Sequence, residues 1–163
     1  MEDNIVLSNT MKRRTFLKGS LVAGGAGVAL SLGLIPTVVI GAWPKSAFKS
    51  KDVNGALNGV LNASDTVASD KIKIKAPKIA ENGAVVPVTV STDLANVESI
   101  TILTSGNVNP MAAHFNLSSN TLPTVSTRVK MAKTSDIIGV IKADGKLFSA
   151  KKSVKVTIGG CGG

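Results

Sequence analysis

Aromatic side chains are scarce in this chain of 163 residues, which has no tyrosine, one tryptophan and four phenylalanines. A folded core must therefore be built mainly from Val, Ile, Leu and Ala. The scarcity also removes stacking platforms for bases, and the lysines form no dense run despite a formal net charge of +9. Nucleic-acid binding is therefore not expected. A positive field would instead favour the approach of small anions.

Histidine and cysteine occur once each, as His114 and Cys161. Two such residues far apart in the chain do not make a metal ligand set, so no metal site is predicted. His114 alternates with apolar neighbours and is predicted to lie solvated on the polar face of a strand, where it forms no catalytic triad. Asp136 and Asp144 are interpreted as turn residues rather than paired catalytic carboxylates.

The N-terminal part of the chain has the pattern of an export signal. Arg13 and Arg14 are followed by Phe16 and Leu17, and residues 19–42 contain no charged side chain. A basic segment before an apolar one is typical of a signal peptide. The paired arginines indicate the twin-arginine (Tat) type.

Residues 1–42 are therefore predicted to be a Tat-type signal segment that directs the protein to the periplasm. Cleavage after Ala42 is one interpretation of the site. The alternative is an uncleaved membrane anchor, because the apolar run is long enough to span a bilayer. The membrane would then be contacted only through this segment.

Glycine surrounds the single cysteine at the C terminus. Glycine loses the most conformational freedom on ordering and has no side chain to pack, which does not fit a core position. We therefore predict a flexible arm over residues 159–163 that presents the thiol of Cys161. A lone cysteine in an exported protein indicates intermolecular pairing or a reactive thiol. The arm glycines are Gly159, Gly160, Gly162 and Gly163.

Between these ends, residues 43–158 are predicted to form one domain. Helical spacing over residues 44–61 predicts a short amphipathic helix, weakened by Asn54 and Gly55. Alternating apolar residues predict strands near residues 72–74, 86–90, 99–103, 113–117, 125–131, 137–143 and 146–158. Hairpin turns are expected at Asn82-Gly83 and Asp144-Gly145. About seven short strands predict an all-β, immunoglobulin-like antiparallel β-sandwich.

Residues 154–163, which end in Gly-Gly-Cys-Gly-Gly, resemble the terminal signature of the SoxY family, the sulfur-substrate carrier subunits of the thiosulfate-oxidising Sox multienzyme system. Residues 80–90, 126–131, 134–136 and 142–146 agree with this resemblance. It implies a carrier without catalytic activity or cofactor of its own. Its Cys161 would covalently hold sulfur intermediates, namely a cysteine S-thiosulfonate and a persulfide.

The resemblance also implies partners. These are a SoxZ-like subunit in a heterodimer, a c-type haem SoxAX-like enzyme, a SoxB-like dimanganese hydrolase and, where present, a SoxCD-like sulfane dehydrogenase. Haem and manganese would belong to these enzymes, and thiosulfate and sulfane sulfur would be the cargo.

Other hypotheses stay open at this point. The chain could be an exported β-sandwich interaction protein, anchored or free, whose terminal cysteine forms an intermolecular disulfide. It could also be a ubiquitin-like sulfur carrier, since it ends in Gly-Gly. Those carriers are cytosolic and shorter, and they do not need the adjacent cysteine.

Overall fold

The computed structural model describes residues 44–157. The signal segment and the glycine arm predicted from the sequence lie outside these described residues. No helix in the described part is long and apolar enough to cross a membrane. The elements are α1 (Lys45–Lys49), α2 (Val53–Leu61), β1 (Val67–Ala68), β2 (Ile72–Lys75), β3 (Ile79–Ala80), β4 (Val86–Thr92), β5 (Val97–Thr104), β6 (Met111–Asn116), β7 (Thr124–Val129), β8 (Ser135–Ala143) and β9 (Lys146–Val156).

The strands form two sheets. The first has the order β1-β9-β8-β5-β6, with β3 also paired to β9, and the second has the order β2-β4-β7. The predicted immunoglobulin-like β-sandwich is confirmed, and all seven predicted strands are present. Two further strands, β1 and β3, were missed, and both pair in parallel with β9. A strand of two residues has no alternation that a sequence pattern can reveal.

The first sheet is buried on both faces. Its inner face packs Ile100 and Ile141 against Val88 and Val90 of the second sheet. Its outer face is covered by the helices, where Leu57 packs in a second cluster with Leu103, Met111, Ile138, Val140 and Leu147. Burial on both sides explains the continuous apolar run in β8. The domain therefore has three layers: helices, first sheet and second sheet.

The single helix predicted over residues 44–61 is wrong, because the structure divides it into α1 and α2. The carboxylate of Asp52 accepts a hydrogen bond from the Gly55 amide at 2.7 Å and so caps the start of α2. A Cβ on Gly55 would lie 2.5 Å from Ser50 Oγ. A larger residue than glycine at this position would therefore displace the side chains of Ser50 and Asp52 that form the cap.

The two predicted hairpin turns have different outcomes. Asp144 and Gly145 have φ values of 49° and 70° and join β8 to β9, as expected for a two-residue hairpin. Asn82 also begins a turn, since its carbonyl accepts from the Val85 amide at 3.4 Å. It is not a hairpin, because β3 and β4 belong to different sheets. Asp136 is the second residue of β8 and half-buried, so its interpretation as a turn residue is wrong.

Candidate functional site: the base of the C-terminal arm

Strand β9 leads directly to the predicted arm. It pairs with β8 from Lys146 to Val154, and Val154 is fully buried between the sheets. After Val154, β9 pairs along its other edge with β3, where Ala80 lies opposite Val156. The strand is therefore held in a sheet almost to Thr157, the last described residue.

The end of β9 is hydrogen-bonded on both edges. On one edge the Thr157 amide donates to the Ala80 carbonyl at 3.1 Å, and the Lys155 amide donates to the Lys78 carbonyl at 3.0 Å. On the other edge the Val156 amide donates to Thr134 Oγ1 at 2.9 Å, and this hydroxyl in turn donates to the Val156 carbonyl at 3.3 Å. These bonds hold the end of β9 in place immediately before the residues predicted to form the arm.

The turn after β3 packs closely against this base. The Gly83 carbonyl accepts from the Met131 amide at 2.7 Å. A Cβ on Gly83 would lie 2.5 Å from the Met131 carbonyl oxygen and 2.9 Å from Val156 Cγ1. Only glycine permits this approach, since real Cβ atoms do not tolerate such distances. The arm base is therefore built from three segments: the β3–β4 turn, the chain around Met131 and Thr134, and the end of β9.

His114 lies in a different place and is not solvated as predicted. Its ring is half-buried, with Nδ1 2.9 Å from Thr101 Oγ1 and Nε2 3.1 Å from Asn116 Oδ1. Burial lowers the pKa of His114 below its ordinary value, and the bond with Asn116 opposes part of that shift. The prediction was wrong because α2 covers this end of the sheet, where Leu61 and His114 line one pocket of about 150 Å³.

An ion pair lies beside the same pocket. Lys142 Nζ is 2.7 Å from Glu98 Oε2, and the Gly145 amide donates to Glu98 Oε1 at 3.0 Å. The Lys142 hydrogen bond is the main cause that lowers the pKa of Glu98, followed by the Gly145 bond. These contacts hold the β8–β9 turn, which is at the far end of β9 from Thr157.

The other predicted site residues lie outside the described part of the chain. They are Cys161 with Gly159, Gly160, Gly162 and Gly163, and the export residues Arg13, Arg14, Phe16 and Leu17. Within residues 44–157 no group of three His, Cys, Asp or Glu side chains is placed to hold a metal ion. The prediction that the whole chain has no metal site stays a prediction.

The fold and the site together define an immunoglobulin-like β-sandwich whose final strand is fixed just before a glycine-rich terminus with one thiol. The family model for "Sulfur oxidation protein SoxY" matches residues 57–161. The solved structure of the sulfur carrier protein SoxY from Chlorobium limicola f. thiosulfatophilum is 41% identical, with a TM-score of 0.60, and the match covers 71% of this chain and 100% of that chain. The chain therefore belongs to the SoxY family of sulfur oxidation proteins.

The chain also has a weaker likeness to a protein of another family. Superoxide reductase (neelaredoxin) from Ignicoccus hospitalis is 19% identical over 53% of this chain and 80% of that chain. Its TM-score of 0.48 is too low to support a conclusion about this chain. No curated protein sequence matches the chain significantly.

The contacts that build the arm base were not predicted from the sequence. A signal was nevertheless present, because the stretches that carry the family resemblance include Ala80, Gly83, Met131 and Thr134. Each of these residues contacts the end of β9 or the turn packed against it. The resemblance therefore marked the residues that meet around Val156, although it did not show that they meet.

Proposed function

We propose that this protein is a periplasmic carrier of sulfur intermediates in thiosulfate oxidation, with Cys161 as the covalent attachment point and no catalytic activity of its own. The observation that carries this proposal is the end of β9, which is hydrogen-bonded on both edges four residues before the single cysteine. Membership of the SoxY family and the relative named as a sulfur carrier support it. The rigid domain would hold the arm, and the glycines would let the thiol enter another protein.

Two reactions would load and process the arm. In the first, thiosulfate and the Cys161 thiol form a sulfur–sulfur bond, with release of one proton and two electrons, to give a cysteine S-thiosulfonate. The electrons pass to a c-type haem SoxAX-like enzyme. In the second, water attacks the terminal sulfonate sulfur, so that sulfate and a proton leave and a persulfide remains on Cys161. A SoxB-like dimanganese hydrolase would catalyse this step.

The geometry of the domain supports a thiol that is activated by its partners. The nucleophile must be the thiolate, and an unperturbed cysteine has a pKa of about 8.5. Across the sheet, His114 pairs with Thr101, Thr101 with Val140 of β8, and Val140 with Ser149 of β9, so these residues form one row perpendicular to the strands. Along β9 this row lies roughly 26 Å from Thr157, at about 3.3 Å per residue. Four extended residues span at most about 14 Å. The single imidazole of the chain therefore cannot serve Cys161 as a base.

The remaining parts of the proposal concern export and partners. We expect export by the Tat pathway through Arg13 and Arg14, a heterodimer with a SoxZ-like subunit, and a SoxCD-like sulfane dehydrogenase where the host has one. This chain would need no cofactor, since haem and manganese would stay in the partner enzymes. The cargo would be thiosulfate and sulfane sulfur.

Intact mass spectrometry of the exported protein, before and after reduction, tests the proposal. We expect a set of sulfur and thiosulfonate adducts that map to Cys161 and disappear on reduction. A disulfide dimer without adducts would contradict the carrier and favour an exported interaction protein. A C-terminal thiocarboxylate would instead favour the ubiquitin-like type of sulfur carrier.

A further inference from the structure

An exposed apolar patch lies beside the arm base. Ile79 and Val85 leave 55% and 48% of their surface exposed. Both line a groove of about 320 Å³ together with Pro77, Ala80 and Pro87. Ala80 also accepts the hydrogen bond from the Thr157 amide, so the groove adjoins the residue from which the arm begins.

Four exposed lysines surround the same place: Lys78, Lys130, Lys133 and Lys155. The backbones of Lys78 and Lys155 are hydrogen-bonded to each other. Lys133 precedes Thr134, which binds Val156, and Lys130 precedes Met131, which binds Gly83. We call these four lysines, together with Ile79 and Val85, the arm-base surface.

The arm-base surface carries a net positive charge. Within residues 44–157 the ion pairs are Lys73 with Asp93 and Lys142 with Glu98, and neither includes one of the four lysines. The nearby acidic residues are Glu81, exposed in the turn after β3, and Asp136, half-buried in β8. Four lysines against two carboxylates leave a net positive charge around the arm.

We propose that the arm-base surface is the docking surface for the enzymes that receive Cys161, and that the entrances of their channels carry carboxylates around an apolar contact. The inference rests on the proposed carrier function. Cys161 can lie at most about 14 Å from Thr157, so a channel that admits Cys161 has to open within that distance. Contact between the enzyme and the residues around the arm base is then unavoidable.

The composition of this surface favours a protein partner over a small anion. Interfaces combine an apolar centre with a polar and charged rim, and Ile79 and Val85 provide such a centre. An anion such as thiosulfate gains nothing from apolar neighbours. Charge at the rim mainly raises the association rate and sets specificity, which suits a carrier that must visit several enzymes and leave each one.

Charge reversal tests the electrostatic part of the proposal. The variant Lys78→Glu with Lys155→Glu is compared with Lys71→Glu with Lys146→Glu, which changes two exposed lysines at the opposite end of the sandwich. Both are made in the exported chain in complex with its SoxZ-like subunit. For conjugation by the SoxAX-like enzyme, we expect kcat/KM of the arm-base variant to fall about tenfold or more at low ionic strength, since steering changes rates by about 10- to 1,000-fold. The difference should shrink as salt screens the charges.

The apolar part is tested with Ile79→Ser and Val85→Ser. The matched control is Val67→Ser with Leu122→Ser, which are 61% and 83% exposed and lie away from the arm base. We expect a higher KM for the arm-base variant at every ionic strength and little change in kcat. All four positions are exposed, so folding should be retained, and thermal unfolding checks this.

Two further measurements separate the possible outcomes. In the arm-base variants, Cys161 should react with iodoacetamide, which is neutral, at the rate of the unchanged chain to within about twofold. The same should hold for its reaction with dithiobis-nitrobenzoate, which is dianionic. If the reaction of Cys161 with the dianionic reagent slowed as much as its loading by the enzyme, the lysines would attract small anions and the docking proposal would be overturned. The same kcat/KM for the arm-base variants and their controls would also overturn it.

Binding of the Cys161→Ser chain to the SoxAX-like enzyme, measured by surface plasmon resonance, makes the docking test independent of loading. We expect the arm-base charge variant to bind more weakly than its control. If the enzyme binds Cys161→Ser through this surface yet never loads the unchanged chain, the carrier function fails and docking stands. The docking proposal fails if the arm-base variant and its control bind equally well. It also fails if the Cys161→Ser chain without further changes does not bind.

Discussion

The amide of Thr157 donates a hydrogen bond to the carbonyl of Ala80, a residue 77 positions earlier in the chain, over 3.1 Å. This bond extends the pairing of β9 with β3 to the last described residue. Together with the bond between Val156 and Thr134, it ties both edges of the strand end to the domain. The hydrogen-bonded part of the domain that the structure describes thus reaches to within four residues of Cys161.

The first prediction concerns the thiol. Cys161→Ser removes the nucleophile and changes no residue of the described core, so folding and binding to a SoxZ-like subunit should be retained. Thiosulfate-dependent turnover in a reconstituted system should be abolished. Turnover above the level without any carrier would contradict the proposed function.

The second prediction concerns the arm glycines. Replacing Gly160 and Gly162 by valine adds branched side chains and removes easy access to positive φ. We expect slower loading by the cognate enzyme, but nearly the original rate with a small thiol reagent. The alanine pair at the same positions is the matched control and should have an intermediate effect. Unchanged enzymatic loading would mean that the glycines are not needed for entry.

The third prediction concerns the fixed end of β9. Thr134→Val keeps the size of the side chain but removes the hydroxyl that bonds to both the amide and the carbonyl of Val156. We expect a loss of about 0.5–1.5 kcal/mol in the free energy of unfolding, the usual net contribution of such a bond. Hydrogen exchange at the Val156 amide should become faster. Thr134→Ser keeps the hydroxyl and should behave like the unchanged chain in both measurements.

The fourth prediction concerns pH. Burial lowers the pKa of His114 in the folded state, so the unfolded state binds the proton more tightly. Stability should therefore be full above the ordinary histidine value of about 6.5 and should fall as the pH drops from there toward the lower folded value. Urea unfolding between about pH 7.5 and pH 5.5 measures this, in a range where carboxylates with ordinary or lowered pKa values stay ionised. In His114→Asn the pH dependence over this range should be smaller. An equal slope in both proteins would contradict the prediction.

The fifth prediction concerns export. Substitution of Arg13 and Arg14 by lysine should leave folded precursor in the cytoplasm, because the Tat pathway carries folded proteins and depends on the arginine pair. Cell fractionation measures the result. Efficient appearance of the double variant in the periplasm would show that the Tat assignment is wrong.

Local patterns in the sequence determined much of this protein. Alternation of Val86, Val88 and Val90 with polar neighbours predicted β4, because successive side chains of a strand point to opposite faces. Asp144-Gly145 predicted its hairpin, because both residues adopt the positive φ that such a turn requires. The glycine-rich end around the single cysteine indicated the family, while the carrier chemistry of Cys161 stays a prediction.

Tertiary structure alone decided how the segments meet. β3 pairs with β9 rather than with β4, so Asn82 begins a turn between sheets instead of a hairpin. His114 is half-buried because α2 packs over its strand. These outcomes depend on contacts between residues far apart in the chain, which are chosen by packing and backbone hydrogen bonding in the whole fold. A local pattern records only which face of its own element a residue occupies, and so it does not contain that information.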